Sequence, residues 1–413
     1  MTLVDIPYGG KPISIDIPEK NLAGILHPSE PKKHEDEAQL IKNALENPIG
    51  SERISEIVDP ETKIAIIVSD ITRPVPTSRI LPHLLEELGK GNAKDENITI
   101  VVALGLHRNQ TEEEMKKIVG SDVYERIKCV EHNPDNCVPI GTTSRGTPVE
   151  VFEKIMDAEV IIGTGNIEYH YYAGYSGGGK CILPGVSSKN SVITNHKMML
   201  LDEATAGNID SPVRQDIEEA AGIANLAFIL NVVLNSRGEI VCAVAGDYIK
   251  AHRKAVECVD RMYKVPVEPA DAVIVGTDES KGMNLYQAYK PLDNAKNAVK
   301  DGGTIVLAAP SAEGFGHETF ERWCREHTCP ASVIDTFENN FEFGAHKAAF
   351  IAQLAKKHKL LIHSEMPDED VRDIFFEPVR DIQKVVDDLL EENPDARIYV
   401  MPYGQMTLPI RSE

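Results

Sequence analysis

The sequence predicts an α/β protein of two domains built on mostly parallel sheets. Short apolar, β-branched runs alternate with helix-patterned stretches along the whole chain. Several of those runs are apolar at nearly every position, as in strands covered on both faces. Near Val265-Pro266-Val267-Glu268-Pro269 the alternation breaks at a proline-rich joint and then restarts.

In chain order, Lys63-Ile64-Ala65-Ile66-Ile67-Val68-Ser69 reads as the first buried strand, and a helix follows from about Ser78 to Leu88. Residues 97–104 form the next strand. Thr111 then opens a helix, with Glu112, Glu113 and Glu114 in its first turn, where carboxylates favour the helix dipole. Residues 158–163 are a third strand, and Leu226 to Val244 reads as two strands joined by a turn at Ser236-Arg237-Gly238. After the joint come strands at 272–276, 304–308, 359–363 and 397–400, with helices between them. The expected division is residues 1–266 and 267–413, with an active site in the cleft between two α/β domains.

At roughly 100–200 residues per domain, 413 residues suit this division. The formal net charge of -22 is spread along the chain, as on a well-solvated surface. It opposes nucleic-acid binding, which needs a basic footprint. No apolar run is long enough to span a bilayer, and Met1 to Pro18 lacks the pattern of a secretory signal. The seven cysteines form no CxxC pair, so reduced thiols and a cytoplasmic location are expected, without a membrane partner.

Reactive residues sit directly after buried strands, where open α/β sheets bind ligands. After the first strand come Asp70, Thr72 and Arg73. The arginine can clamp a carboxylate through two parallel hydrogen bonds. A helix cap beside a surface arginine is the structural alternative. After the second strand, Gly105-Leu106-His107-Arg108 presents His107, which can instead be an ordinary hydrogen-bonding histidine.

After the third strand, a glycine-rich stretch from Gly163 to Lys180 carries Glu168, Tyr169, His170, Ser176, Gly177, Gly178 and Gly179, and Asn195-His196 follows. Glycines allow backbone N–H groups to approach an anion closely. In the second domain, Tyr286, Gln287 and Lys290 lie on a predicted helix. Gln287 and Lys290 share a face there, which can also be plain solvent surface.

Rival chemistries are open to these residues. Gly174 to Cys181 nearly fits the phosphate loop GxxxxGK[ST] of nucleotide-binding enzymes. Against it, Cys181 stands where a magnesium-binding hydroxyl belongs, the loop starts well past its strand, and Pro184-Gly185 interrupts any helix at Lys180. A zinc hydrolase would use His107, His170 and His196, although none has the spacing of a helical metal pair and Lys180 would repel the cation. A non-enzymatic α/β protein for small anions would need Arg73, Lys290 and the glycine loop, but no cluster of histidines.

Taken together, Asp70 to Pro76, Gly105 to Arg108, Tyr169-His170 with Gly177 to Lys180, Asn195-His196, and Tyr286 to Lys290 resemble the nickel-dependent lactate racemase family, in order and spacing along the whole chain. The resemblance implies a racemase or epimerase of 2-hydroxyacids, of the isomerase class. It implies nickel in a pincer cofactor, a pyridinium-3-thioamide-5-thiocarboxylic acid mononucleotide, joined to Lys180. Nickel would take two cofactor sulfurs, one cofactor carbon and His196, a planar set that suits Ni(II). Cofactor-biosynthesis enzymes become transient partners, and a small anionic 2-hydroxyacid becomes the substrate.

His107 and His170 take the two acid/base roles in this resemblance, for which a near-neutral pKa is suited. Arg73 and Lys290 hold the carboxylate or keto oxygen, and Gln287 bonds the substrate. Asp70 and Tyr286 support the cofactor and substrate sides. Ser176 and Gly177 to Gly179 are placed at the cofactor phosphate. Tyr171, Tyr172 and Phe315 are candidates for the selectivity pocket, Gly314 to His317 for a mobile loop, and Trp323 for packing.

Overall fold

The computed structural model describes residues 1–30, 36–342 and 344–411. They form two compact units, one of residues 30–261 and one of residues 1–29 with 262–413. Among the described residues no helix is long and apolar enough to cross a membrane.

The 30–261 unit is built on a six-stranded sheet in the order Ile240–Gly246, Leu226–Leu234, Val160–Asn166, Ile64–Ser69, Ile98–Ala103, Lys128–Glu131. All neighbours are parallel except the edge strand Ile240–Gly246. Ile64 to Val68 are all buried, as expected of a strand covered on both faces. Leu81, Leu84 and Leu88 of the helix Thr77–Lys90 pack in the same core. The helix Glu112–Val119 begins at Thr111 with a reciprocal capping box to Glu114.

From Ile64–Ser69 the chain builds outward through Ile98–Ala103 to Lys128–Glu131, then returns to place Val160–Asn166 on the other side. That reversal is a topological switch point, and it opens a crevice at the carboxyl ends of Ile64–Ser69 and Val160–Asn166.

The other unit has a wholly parallel six-stranded sheet, ordered Glu377–Val379, Lys359–His363, Val299–Ala308, Ala270–Gly276, Ile398–Met401, Leu22–Ile25. A hairpin of Thr2–Tyr8 and Lys11–Ile17 packs Val4, Ile6, Ile15 and Ile17 into the core of this sheet. The expected first domain of residues 1–266 is therefore corrected at its start. Residues 1–29 belong with the later part of the chain, because Leu22–Ile25 hydrogen-bonds beside Ile398–Met401 as a parallel edge strand. Lys264–Val267, at the expected joint, pairs in parallel with Leu408–Arg411.

Candidate active site

The residues singled out in the 30–261 unit fall into two contact groups, Asp70 with His107, and His170, Lys180 and His196 around Tyr172. Asp70 leaves the strand Ile64–Ser69 and is buried. Its Oδ1 accepts the Thr72 N–H at 2.7 Å, and its Oδ2 lies 3.0 Å from Nδ1 of His107, at the end of the neighbouring strand. Burial alone would raise the Asp70 pKa, but the hydrogen bonds from His107 and Thr72 outweigh it and hold the carboxyl below its ordinary value. Asp70 is therefore an anion at neutral pH, and His107 directs its Nδ1–H to it. In the neutral ring this makes Nε2 the basic nitrogen. Arg73 is exposed on the following turn.

His170 lies on a two-residue strand, Tyr169–His170, paired antiparallel with Gly174–Tyr175. Its Nδ1 accepts the Ala173 N–H at 3.3 Å, so the neutral ring carries its proton on Nε2. The two histidines therefore rest in opposite tautomers. Tyr171 stacks on His170 at 5.0 Å, and Tyr172 meets it edge-on at 4.4 Å.

Tyr172 links this hairpin to the expected cofactor pair. Its hydroxyl lies 2.7 Å from Nε2 of His196, and Lys180 Nζ is 5.7 Å from its ring centre. His196 is buried on the helix Lys189–Lys197. Burial, and then the nearby Lys180 ammonium, push its pKa down to about 3, so the imidazole stays neutral. Close approach of strand and loop sets where Lys180 stands. A Cβ on Gly163 would lie 2.4 Å from Cys181 Sγ. Gly174 has a φ of 71°, and a Cβ there would lie 1.9 Å from the Asn208 carbonyl oxygen, so both positions need glycine.

The expected phosphate cradle is corrected at Gly178, whose N–H already donates to Asn231 Oδ1 at 2.8 Å. Gly178 and Gly179 are buried. A Cβ on them would press on His252 and on Ala221, so these glycines serve packing. The Ser176 hydroxyl donates to the Asn166 carbonyl at 2.8 Å and accepts the Glu168 N–H at 2.9 Å, while Gly177 adopts a φ of 71°. Lys180 sits in a single 3-10 turn, Gly178–Cys181, with no helix opening at it as a phosphate loop requires. Among the described residues no group of three His, Cys, Asp or Glu could hold a metal ion, so the zinc triad of His107, His170 and His196 is not assembled.

The residues that hold this loop carry no signal in the sequence that names them. Arg214, fully buried on the helix Pro212–Ile223, donates to the carbonyls of Ala173 at 3.3 Å, Gly177 at 3.1 Å and Tyr175. His252 Nε2 lies 2.8 Å from the Ser176 carbonyl oxygen, and Asp260 accepts the hydroxyls of Tyr169 at 3.0 Å and Tyr175 at 2.7 Å. Asn195 holds the His196 helix by donating to Asp216 at 2.8 Å. The available signal was Ser211-Pro212 opening a helix. It marks where Arg214 falls but not that its side chain turns inward.

In the other unit, the helix Leu285–Ala295 follows the strand Ala270–Gly276 and is capped by Asn284, whose side chain accepts the Gln287 N–H at 3.1 Å. Tyr286, Gln287 and Lys290 are half-buried on it. The segment Gly314 to His317, expected to be mobile, is tied down. Leu285 N–H donates to the Gly314 carbonyl, Tyr286 N–H donates to the Phe315 carbonyl, and His317 caps the helix Glu318–Glu326. Phe315 is buried, with Arg325 4.8 Å from its ring centre, which places it in packing and not in a selectivity pocket. Trp323 is buried and donates to Glu342 at 2.7 Å.

Comparison with known proteins gives matches along both units. Residues 8–207 match the lactate racemase N-terminal domain and residues 265–408 the lactate racemase C-terminal domain. The chain is 36% identical over 426 aligned residues to a lactate racemase of Thermoanaerobacterium thermosaccharolyticum, covering 98% of each. It is 31% identical to a lactate racemase of Lactiplantibacillus plantarum, covering 98% of this chain and 99% of the relative. The solved lactate racemase apoprotein from T. thermosaccharolyticum superposes with a TM-score of 0.92 at 35% identity over 100% of both chains. A Thermotoga maritima structure shares the fold at 20% identity, with a TM-score of 0.67 over 92% of this chain and 100% of its own.

Proposed function

Because the chain belongs to the lactate racemase family, we propose that it interconverts the stereoisomers of a lactate-like 2-hydroxyacid by reversible hydride transfer, using a nickel pincer mononucleotide linked to Lys180. The observation that carries this reading is the meeting of Lys180 with a neutral, buried His196 across Tyr172.

The residues present fit that cofactor. Lys180 offers an amine for the covalent link, and His196 offers one neutral imidazole to a metal whose other ligands arrive with the group. When bound, the cofactor supplies a carbon that accepts hydride. This avoids a carbanion beside a carboxylate, which like charge makes costly.

The chain's own residues handle the proton and the anion. Nε2 of His107, the basic nitrogen of the neutral ring when Nδ1–H faces Asp70, takes the substrate's hydroxyl proton. His170, on its own hairpin, is the acid/base candidate for the other face of the substrate, with Nδ1 held by the Ala173 N–H while the ring is neutral. To act as base for the other enantiomer, its proton moves to Nδ1 and the Ala173 contact opens. Arg73 is the candidate for holding a substrate oxygen in the 30–261 unit, Lys290, Gln287 and Tyr286 are the substrate-binding candidates of the other unit, Asp70 orients His107, and Ser176 and Gly177 are the remaining candidates for the cofactor phosphate. Tyr171 and Tyr172, packed on His170, line the substrate side.

The test is a stereochemical assay of the protein produced with the cofactor-making enzymes and nickel. Intact mass establishes the Lys180 adduct, and chiral chromatography follows single-enantiomer 2-hydroxyacids. A substrate deuterated at C2 should racemise and keep its deuterium. Racemisation with loss of deuterium to water would point to direct deprotonation and overturn the hydride reading. A nickel-loaded adduct that turns over no 2-hydroxyacid would overturn the racemase reading.

A further inference from the structure

One buried charge stands outside every role given so far. Lys347 is 8% exposed on the helix His346–Lys357. Its Nζ lies 3.5 Å from the ring centre of Tyr286 and 6.0 Å from that of Tyr289, and it donates to the Tyr286 carbonyl. The Tyr286 ring also stacks on His317 at 4.8 Å, and the Tyr286 N–H donates to the Phe315 carbonyl at 3.1 Å. Lys347 and its neighbours thus grip Tyr286 by ring, N–H and carbonyl. Gln287 and Lys290 follow on the same helix.

Burial, and then the nearby ammoniums of Lys281 and Lys290, push the Lys347 pKa well below the usual lysine value. An ammonium seated on a carbonyl and aromatic rings beside two other cations is costly to keep. A methionine would fill the same space among the rings without that cost. Charges placed against their own stability mark functional sites.

We propose that Lys347 is a further substrate-positioning residue: by holding the ring and carbonyl of Tyr286 it fixes the first turn of the helix that carries Gln287 and Lys290. The proposal rests on the 2-hydroxyacid reading, so the two are tested separately. The cofactor-free chain is titrated with oxalate by calorimetry, and the loaded enzyme is assayed for KM and kcat, each as wild type, Lys347→Met and Lys347→Arg.

Wild type should bind oxalate. Lys347→Met should bind it about 10-fold more weakly and raise KM about 10-fold, with kcat within about 3-fold, and Lys347→Arg should recover most of the loss. No oxalate binding by wild type, or equal binding by wild type and Lys347→Met, overturns the proposal. So does a matched fall in kcat and unfolding midpoint that arginine leaves unrescued, since that marks a packing role. If oxalate binding responds as expected but no 2-hydroxyacid is racemised, the anion site stands and the racemase reading falls.

Discussion

Nδ1 of His107 lies 3.0 Å from Oδ2 of Asp70, across the gap between two neighbouring strands. That single contact decides which ring nitrogen of His107 is basic. Asp70→Asn keeps the shape but removes the charge and offers an N–H that favours the opposite tautomer. Racemisation should fall about 100-fold or more, with the Lys180 adduct and nickel retained. Chiral assay beside intact mass checks this, and an unchanged kcat would deny Asp70 its orienting role.

The histidines should separate by what each loss removes. His196→Ala should keep the Lys180 adduct and lose nickel. His107→Ala and His170→Ala should keep both and lose turnover by about 100-fold or more. Lys180→Ala should carry no adduct at all. Adduct mass and nickel content by elemental analysis distinguish the cases. Nickel loss from His107→Ala or His170→Ala would reverse the assignment.

Arg214→Met should cost the cofactor-free chain about 3 kcal/mol or more, because three buried carbonyls lose a charged donor. Urea unfolding measures it. The yield of Lys180 adduct should drop with it, since the freed carbonyls belong to the loop that carries the lysine. A variant as stable as wild type would mean that other bonds hold the loop.

Gly174→Ala should destabilise by more than about 2 kcal/mol, from a left-handed φ and from the clash with the Asn208 carbonyl together. Gly146→Ala, at a φ of 87° with open space around it, should cost less. Paired unfolding curves test the ranking.

Acid should weaken the fold through its buried histidines. Burial pushes the His132 pKa down to about 4, from 6.5 when unfolded. The unfolded chain therefore takes up a proton first as pH falls. The stability from a neutral His132 is full above about pH 6.5 and is lost between there and about pH 4, at about 1.4 kcal/mol per pH unit. His132→Gln should flatten that part of the profile. Unfolding midpoints at pH 7, 6, 5 and 4 give the slope, and identical slopes would remove His132 from the account.

The fold was readable where burial leaves a pattern. Ile64 to Val68 and Ala272 to Val275 are apolar at every position because both faces are covered, and a sequence displays that directly. Thr111 with Glu114 displays a helix start for the same local reason. The place of the first 29 residues is not legible locally, because the partner of Leu22–Ile25 is Ile398–Met401 and no local pattern names a partner so distant. The meeting of Asp70 with His107 was legible because both follow closely on neighbouring parallel strands, where open sheets bind ligands. Arg214, His252, Asp260 and Lys347 were not, because a residue type that usually faces water gives no sign when its side chain turns inward.

The pairing of Leu22–Ile25 with Ile398–Met401 also sets an order of events at the ribosome. The early strand emerges long before its neighbour exists, and nearly the whole chain must be synthesised before it can dock. The 30–261 unit is an insertion between them and can fold while the first strands wait. The waiting hairpin, with Val4, Ile6, Ile15 and Ile17 uncovered, is then the segment most in need of a chaperone. A circular permutant that places residues 1–29 after residue 411 would shorten that wait, and it should refold faster than the natural order.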